Sequence, residues 1–206
     1  MTEMESAVYV VDDDPSVQAA LKKLLSLVGF HVEVFGSIAD FLAGKRREVP
    51  SCLVLDVRLP GMSGLDFQDQ LVRSGVRLPI IFITAQGDSP MTRRAMKAGA
   101  VDFLTKPFRK KELLEAIHQA LDLDRGRRTL QAEISELKER FEDLTPRERE
   151  VLSLVTEGQL NKQIAVKLSL SEASIKFHRG NLMKKMQAES VAELVRMVDR
   201  LRASSS

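Results

Sequence analysis

The sequence predicts an α/β doubly wound, five-stranded parallel sheet followed by an all-α domain of four short helices. Apolar runs of strand length alternate with helical patterns through about residue 121, the arrangement that yields βαβ units. Four of those runs end in residues able to carry chemistry: Asp12-Asp13, Asp56, Thr84 and Lys106-Pro107. After Leu144 the strand signals stop and helix-capping signals replace them.

The runs at 8–11, 52–55, 79–83 and 101–104 read as strands, with five strands and five helices expected in all. Open parallel sheets place ligands outside the carboxyl ends of their strands. These four strands would therefore deliver three carboxylates, a hydroxyl and an ammonium to one edge. The helices are expected near 15–28, 37–43, 64–74, 89–98 and 110–121. Asp14-Pro15 and Ser89-Pro90 each read as an N-cap followed by proline at the first helical position.

From Asp122 the chain turns to charged residues with Leu123, Leu130, Ile134, Leu137, Phe141 and Leu144 interspersed. The last five are spaced like a heptad seam on one helix face. Such a seam is either a linker helix packing on a neighbouring domain or a parallel dimer helix. About two heptads, short of the three or four that argue a coiled coil, favour the first. Thr145-Pro146-Arg147-Glu148 is a full capping box, and Ser190-Val191-Ala192-Glu193 repeats it for a last helix. Between them, residues 161–168 and 172–186 read as two helices joined by a tight turn.

The 206 residues suit two modest domains. The formal charge of +2 is unevenly laid out. Within 160–187, Lys162, Lys167, Lys176, Arg179, Lys184 and Lys185 face only Glu172, which concentrates basic charge in one stretch. Cys52 is the only cysteine, so an intrachain disulfide and a multi-cysteine metal site are excluded, which fits a reducing compartment. It reads as a buried strand thiol. The acidic N-terminus lacks the basic start and apolar core of a signal peptide. No apolar run approaches the roughly 18–20 residues of a membrane span, so a soluble, cytoplasmic protein without a membrane partner is expected.

Three carboxylates near one point repel and cannot all stay ionised unless a cation lies among them. Hard oxygen ligands with few dedicated side chains suit Mg²⁺, which accepts phosphate oxygens. A carboxylate beside such an ion can attack phosphorus, with Thr84 and Lys106 holding the oxygens of the acyl phosphate. Each piece alone has an ordinary explanation, such as a cap, a strand end or a solvated lysine. Their joint placement after four strands is what points to phosphoryl chemistry.

Val10-Val11-Asp12-Asp13-Asp14, the run from Leu55-Asp56-Val57-Arg58 to Met62-Ser63-Gly64, Thr84-Ala85 and Lys106-Pro107-Phe108 stand in the order and spacing of bacterial receiver domains. Over residues of about 7–121 the chain resembles response regulators of the FixJ/NarL type, whose receivers are flavodoxin-like. The resemblance implies that Asp56 accepts the phosphoryl group. It further implies that Asp12 and Asp13 organise Mg²⁺, with Asp56 and the Arg58 carbonyl completing the protein ligands. Lys106 would pair with the phosphoryl group across a cis Lys106-Pro107 bond. Thr84 would be drawn inward, and Phe103, at the place of an aromatic switch residue, could fill the space it leaves. Read without the resemblance, Phe103 is ordinary core. Gly61 and Gly64 serve a turn and a close backbone approach.

On a helix, Ala173, Lys176, Phe177, Gly180 and Lys184 form one stripe, while Ile175, Leu182 and Met186 fall on the other side as core. Lys176 could reach guanine acceptors in a major groove and Phe177 a thymine methyl. Arg179, Lys184 and Lys185 are better placed for phosphates. His178, beside the core stripe, reads as a bonded structural histidine. The plainer reading leaves the lysines solvated and packs Phe177 on its own domain.

Leu144-Thr145-Pro146-Arg147-Glu148, Gly158, Asn161-Lys162-Gln163-Ile164-Ala165, Ile175-Lys176 and His178-Arg179 stand in the order of LuxR-type helix-turn-helix domains. That resemblance places Lys176, Phe177 and Gly180 at base-facing positions of a recognition helix. Two departures stand out: Ser169 replaces the glycine usual in the turn, and Gly180 lies mid-helix at about 1 kcal/mol cost against alanine.

The expected organisation is a receiver at 1–121, a helical linker at 122–143 and a DNA-binding domain at 144–206. The resemblances imply a transcription factor controlled by phosphorylation. Its partners would be a cognate histidine kinase, double-stranded DNA, RNA polymerase and a second copy paired on phosphorylation. Two other readings compete with it: an Mg²⁺-dependent aspartyl-phosphate phosphohydrolase with a helical accessory domain, and an accessory-protein binder whose helical domain does not touch DNA. Against the first, such phosphatases carry a second Asp two positions after the nucleophile, where this chain has Arg58.

Overall fold

The computed structural model describes residues 6–204. The rest of the acidic start read above, residues 1–5, lies outside the described residues. The chain forms two compact units that divide between Arg128 and Thr129.

The first unit carries β1 (Ala7–Val11), α1 (Pro15–Val28), β2 (His31–Phe35), α2 (Ile38–Ala43), β3 (Ser51–Asp56), α3 (Gly64–Arg73), β4 (Ile80–Thr84), α4 (Ser89–Lys97), β5 (Asp102–Thr105) and the start of α5 (Lys110–Glu142), whose residues from Thr129 on belong to the second unit. The five strands form one parallel sheet in the order β2-β1-β3-β4-β5. β2, counted but not bounded from sequence, is an edge strand. β1, β3 and β4 are buried along their whole length, which is why they read as unbroken apolar runs.

Their side chains alternate between two cores. Val8, Val10, Val54, Ile81 and Ile83 join Leu25 of α1 and Leu113 and Ile117 of α5 on one face. Tyr9, Val11, Leu53, Leu55 and Phe82 join Phe41 of α2, Phe67 of α3 and Ala95 of α4 on the other. Strand order reverses at β1 and β3, so the crevice of this sheet opens where β1 ends at Asp12 and β3 ends at Asp56.

The helix starts follow local chemistry. Asp14 caps α1 by accepting the Ser16 N–H, with Pro15 in the first turn. For α4 the expectation was one residue late. Asp88, not Ser89, accepts the Met91 N–H, because a carboxylate there reaches the free amide while Ser89 and Pro90 open the helix.

The expected helix at 110–121 does not end there. α5 continues through the charged stretch to Glu142. No proline interrupts it, and ion pairs one turn apart support it, including Arg128 with Asp124 at 2.7 Å and Arg140 with Glu136 at 3.4 Å. Asp124 is buried and accepts the Ser51 N–H at 2.9 Å, which ties α5 to the first residue of β3.

The second unit holds α6 (Pro146–Thr156), α7 (Asn161–Leu168), α8 (Glu172–Met186) and α9 (Val191–Ser204). Val151, Leu152, Val155, Ile164, Ile175, Leu182, Met186 and Leu194 form its core. Leu137, Phe141 and Leu144 belong to that core as well, although the first two were assigned to the linker. Leu130 and Leu123, farther up the seam, are exposed. The capping box at Thr145 forms with both of its hydrogen bonds. At Ser190 the box is shifted: Glu193 N–H donates to Ser190 Oγ, but the Glu193 carboxylate accepts from Glu189 N–H.

Among the described residues, no helix is long and apolar enough to cross a membrane.

Candidate functional site

Asp12 follows β1, Asp56 and Thr84 close β3 and β4, and Lys106 follows β5. The parallel register sets these four positions along one edge of the sheet, with Asp56 beside Ile83 and Thr84 beside Thr105. Lys106 Nζ then reaches both acids: it donates to Asp12 Oδ2 at 2.6 Å and to Asp56 Oδ2 at 2.6 Å. The Lys106-Pro107 peptide bond is cis.

The remaining oxygens are fixed by backbone. Asp12 Oδ1 accepts the Asp14 N–H at 2.9 Å, and Asp56 Oδ1 accepts the Arg58 N–H at 2.7 Å. Both acids are buried, Asp56 at 6 % exposure and Asp12 at 0 %. Burial raises the pKa of Asp56 above the ordinary carboxylate value, and repulsion from Asp12 adds to this, against the pull of Lys106 and the Arg58 N–H. Burial also works against the Lys106 ammonium, yet its bonds to Asp12 and Asp56 more than offset that and hold its pKa up.

The convergence expected of three carboxylates is met by two. Asp13 is exposed, and among the described residues no group of three His, Cys, Asp or Glu side chains stands close enough to hold a metal ion by itself. The reason is local: Asp12 and Asp56 turn inward to share one ammonium, while Asp13 begins the exposed turn into α1. The donor set nevertheless fits a small hard cation. Two buried carboxylates and an exposed third are set against one ammonium, and all the donors are oxygen.

Thr84 is fully buried and donates its hydroxyl to the Gln86 carbonyl at 3.1 Å, within its own turn. Phe103 is half-buried and tilts against Phe82 at 6.1 Å between ring centroids. Gly87 closes on it so tightly that a Cβ there would lie 2.8 Å from the Phe103 ring. Gly64 makes the close approach expected of it, since a Cβ there would lie 2.4 Å from the Asp56 carbonyl oxygen.

In the second unit, Ala173, Lys176, Phe177, Gly180 and Lys184 all face solvent on α8, and Ile175, Leu182 and Met186 are buried. Phe177 is 66 % exposed, so it does not pack on its own domain. Its ring meets His178 edge-on at 5.7 Å. Arg179 is half-buried and donates to Asn161 Oδ1 at 2.8 Å, which ties α8 to α7.

Lys185 departs from expectation. It donates to buried Glu148 at 3.0 Å and to the Asp143 carbonyl at 2.9 Å, so its charge is spent inside the unit rather than presented to a phosphate. Burial pushes the Glu148 carboxyl up, but the Thr145 N–H and Lys185 outweigh it and hold it below its ordinary value. Ser169 adopts the left-handed conformation, φ 53°, that the turn demands and that glycine would take without cost.

Sequence reasoning missed several participants. Gln18 Nε2 donates to the Asp12 carbonyl at 2.6 Å, and Gln86 Oε1 accepts from Arg58 Nη2 at 2.7 Å. Gln86, two residues after Thr84, was findable as the partner a buried hydroxyl takes in its own turn. Gln18 and Asn161 gave no signal beyond their place in a motif or helix.

Comparison with known proteins agrees with this division. Residues 8–118 match the response regulator receiver domain family, and residues 142–198 match the luxR family of bacterial regulatory proteins. Nodulation protein W of Bradyrhizobium diazoefficiens is 51 % identical over 202 residues, covering 98 % of this chain and 89 % of that protein. The transcriptional regulatory protein FixJ of Rhizobium meliloti is 40 % identical over 190 residues, covering 92 % and 93 % respectively. The solved structure of the response regulator StyR superposes with a TM-score of 0.85 at 48 % identity, covering 95 % of this chain and 99 % of that one.

Proposed function

Because the chain belongs to the response regulators that join a receiver to a LuxR-type DNA-binding domain, we propose that Asp56 is its phospho-acceptor and α8 its DNA-reading helix. The relatives are transcriptional regulators, which fits that reading and not the phosphohydrolase alternative. The observation that carries the assignment is the shared ammonium: Lys106 bridges Asp12 and Asp56 at the crevice of the sheet.

A carboxylate oxygen of Asp56 attacks phosphorus, a P–O bond forms, and the bond to the donor group breaks, with the phosphohistidine of a cognate kinase as donor. The Arg58 N–H holds Asp56 Oδ1 and so orients the nucleophile. Lys106 lies where it can turn from the carboxylates to a phosphoryl oxygen as negative charge arrives. Mg²⁺, held by Asp12, Asp13, Asp56 and the Arg58 carbonyl, would supply charge neutralisation at the transferring phosphoryl group. Thr84 leaves the Gln86 carbonyl to bond the phosphoryl group, and Phe103 moves toward the space vacated.

Lys176 and Phe177 face base edges, Lys184 faces a phosphate, and Gly180 offers no side chain between them. Arg179, steadied by its bond to Asn161 Oδ1, is set to contact a phosphate. Two phosphorylated copies pair and present two such helices to adjacent half-sites, where they engage RNA polymerase. A regulator of transcription works where the bacterial chromosome is, in the cytoplasm.

The test is DNA binding by the full chain, before and after acyl-phosphate treatment with Mg²⁺. Tighter binding after treatment, absent in Asp56→Asn, is expected. Equal binding in all three samples would contradict the proposal.

A further inference from the structure

α3 and α4 are neighbours held to the sheet to very different degrees. Five of the ten residues of α3 are buried, Gly64, Leu65, Phe67, Gln68 and Leu71, whereas Ala95 alone is buried among the nine of α4. Of the two, α4 is the helix that can shift. Polar ties join it to α3: Gln68 Nε2 donates to the Ala95 carbonyl at 3.2 Å, and Arg94 Nη2 donates to Asp66 Oδ1 at 2.6 Å and to Asp69 Oδ2 at 2.6 Å.

Asp66 and Asp69 stand one turn apart on α3 and repel each other, so one guanidinium between them relieves that repulsion as well as bonding to each. Both bonds leave a single nitrogen. They close only where that nitrogen lies within reach of two carboxylates carried by the firmly held helix. The entry to α4 is tied in turn to Thr84, which donates to the Gln86 carbonyl, while Asp88, two residues on, caps α4 by accepting the Met91 N–H. When Thr84 gives up that carbonyl for a phosphoryl group, the loop leading into α4 is released.

We infer that Arg94 is a positioning residue, whose clamp on Asp66 and Asp69 holds α4 in the resting arrangement and so restrains phosphoryl uptake at Asp56. The inference rests on Asp56 as the phospho-acceptor. The clamp belongs to the arrangement in which Thr84 bonds within its own turn, and a shift of α4 over α3 breaks it. A contact made in one form alone lowers the apparent affinity of a ligand that selects the other, by the fraction of molecules it holds back. The clamp is open to solvent, with the Arg94 side chain 48 % exposed, so its hold is modest. Plain charge would act with the opposite sign. Arg94 lines one groove with Arg58, whose N–H bonds Asp56, and loss of a cation there weakens attraction for an anion, whereas loss of the clamp strengthens binding.

The probe is beryllofluoride with Mg²⁺, an inert mimic of the acyl phosphate, titrated onto the full chain and followed by fluorine NMR. Arg94→Ala, and Asp66→Ala combined with Asp69→Ala, are each expected to bind it about two- to fivefold tighter than the unsubstituted chain, and the triple variant no tighter than either. Unchanged or weaker binding by Arg94→Ala overturns the inference and leaves Asp56 its role. Arg94→Gln answers the same question if the alanine variant does not fold. No binding by the unsubstituted chain overturns the assignment of Asp56 and the inference together.

Discussion

Lys106 Nζ stands 2.6 Å from Asp56 Oδ2, and the same nitrogen stands 2.6 Å from Asp12 Oδ2. One ammonium thus answers two buried carboxylates, with Asp13 exposed alongside. The excess of negative charge is what a cation, and then a phosphoryl group, can exploit. It also sets how this unit responds to pH.

The folded-state pKa of Asp56 is raised, chiefly by burial. A carboxyl whose pKa rises on folding favours the native state most below its unfolded value, and that contribution is lost as pH rises through the folded value. At neutral pH, Asp56 therefore costs stability. Asp56→Asn, which keeps an acceptor for the Arg58 N–H, should raise the melting temperature at pH 7. The difference should shrink as pH falls below the ordinary carboxylate range. Thermal melts of both proteins across pH check this.

Lys185 and Lys184 are neighbours with different tasks. Lys185→Ala leaves Glu148 buried without its cation and should destabilise the second unit by about 1–3 kcal/mol, below the fully buried case because Lys185 is partly exposed. It should leave the salt dependence of DNA binding unchanged. Lys184→Ala should do the reverse, lowering the slope of log affinity against log salt by about 0.9 with little loss of stability. Denaturant titrations and binding isotherms at several salt concentrations separate the two. Glu148 adds an acid limit. Its pKa is lowered in the fold, so its contribution is present above the ordinary value of 4.5 and is lost as pH falls through the folded value.

Ser169→Gly should stabilise the second unit by about 0.5–1 kcal/mol, since the native φ of 53° disfavours a side chain. Chemical denaturation of the full chain reads this as a higher midpoint with an unchanged slope.

The strand ends were legible because β1, β3 and β4 are buried on both faces and so read as apolar runs, each stopping where a polar residue meets the crevice. The capping box at Thr145 and the two faces of α8 were equally legible, since local spacing dictates them. The unbroken run of α5 was not: its charged stretch resembles a linker until Asp124 is seen accepting the Ser51 N–H. Nor could spacing show that Lys185 turns inward while Lys184 does not, because a carboxylate 37 residues away decides it. Convergence of Asp12, Asp13 and Asp56 was over-read for the same reason. Adjacent residues at a strand end point in different directions, and here Asp12 is buried while Asp13 stands exposed at the mouth of the crevice.

The most direct measurement is phosphoryl stoichiometry on the full chain by intact-mass spectrometry after exposure to a small acyl phosphate. With Mg²⁺ the account predicts one phosphoryl group per chain, labile as an acyl phosphate, absent when the metal is chelated and absent in Asp56→Asn. Undiminished labelling of Asp56→Asn, or labelling indifferent to chelation, would contradict it.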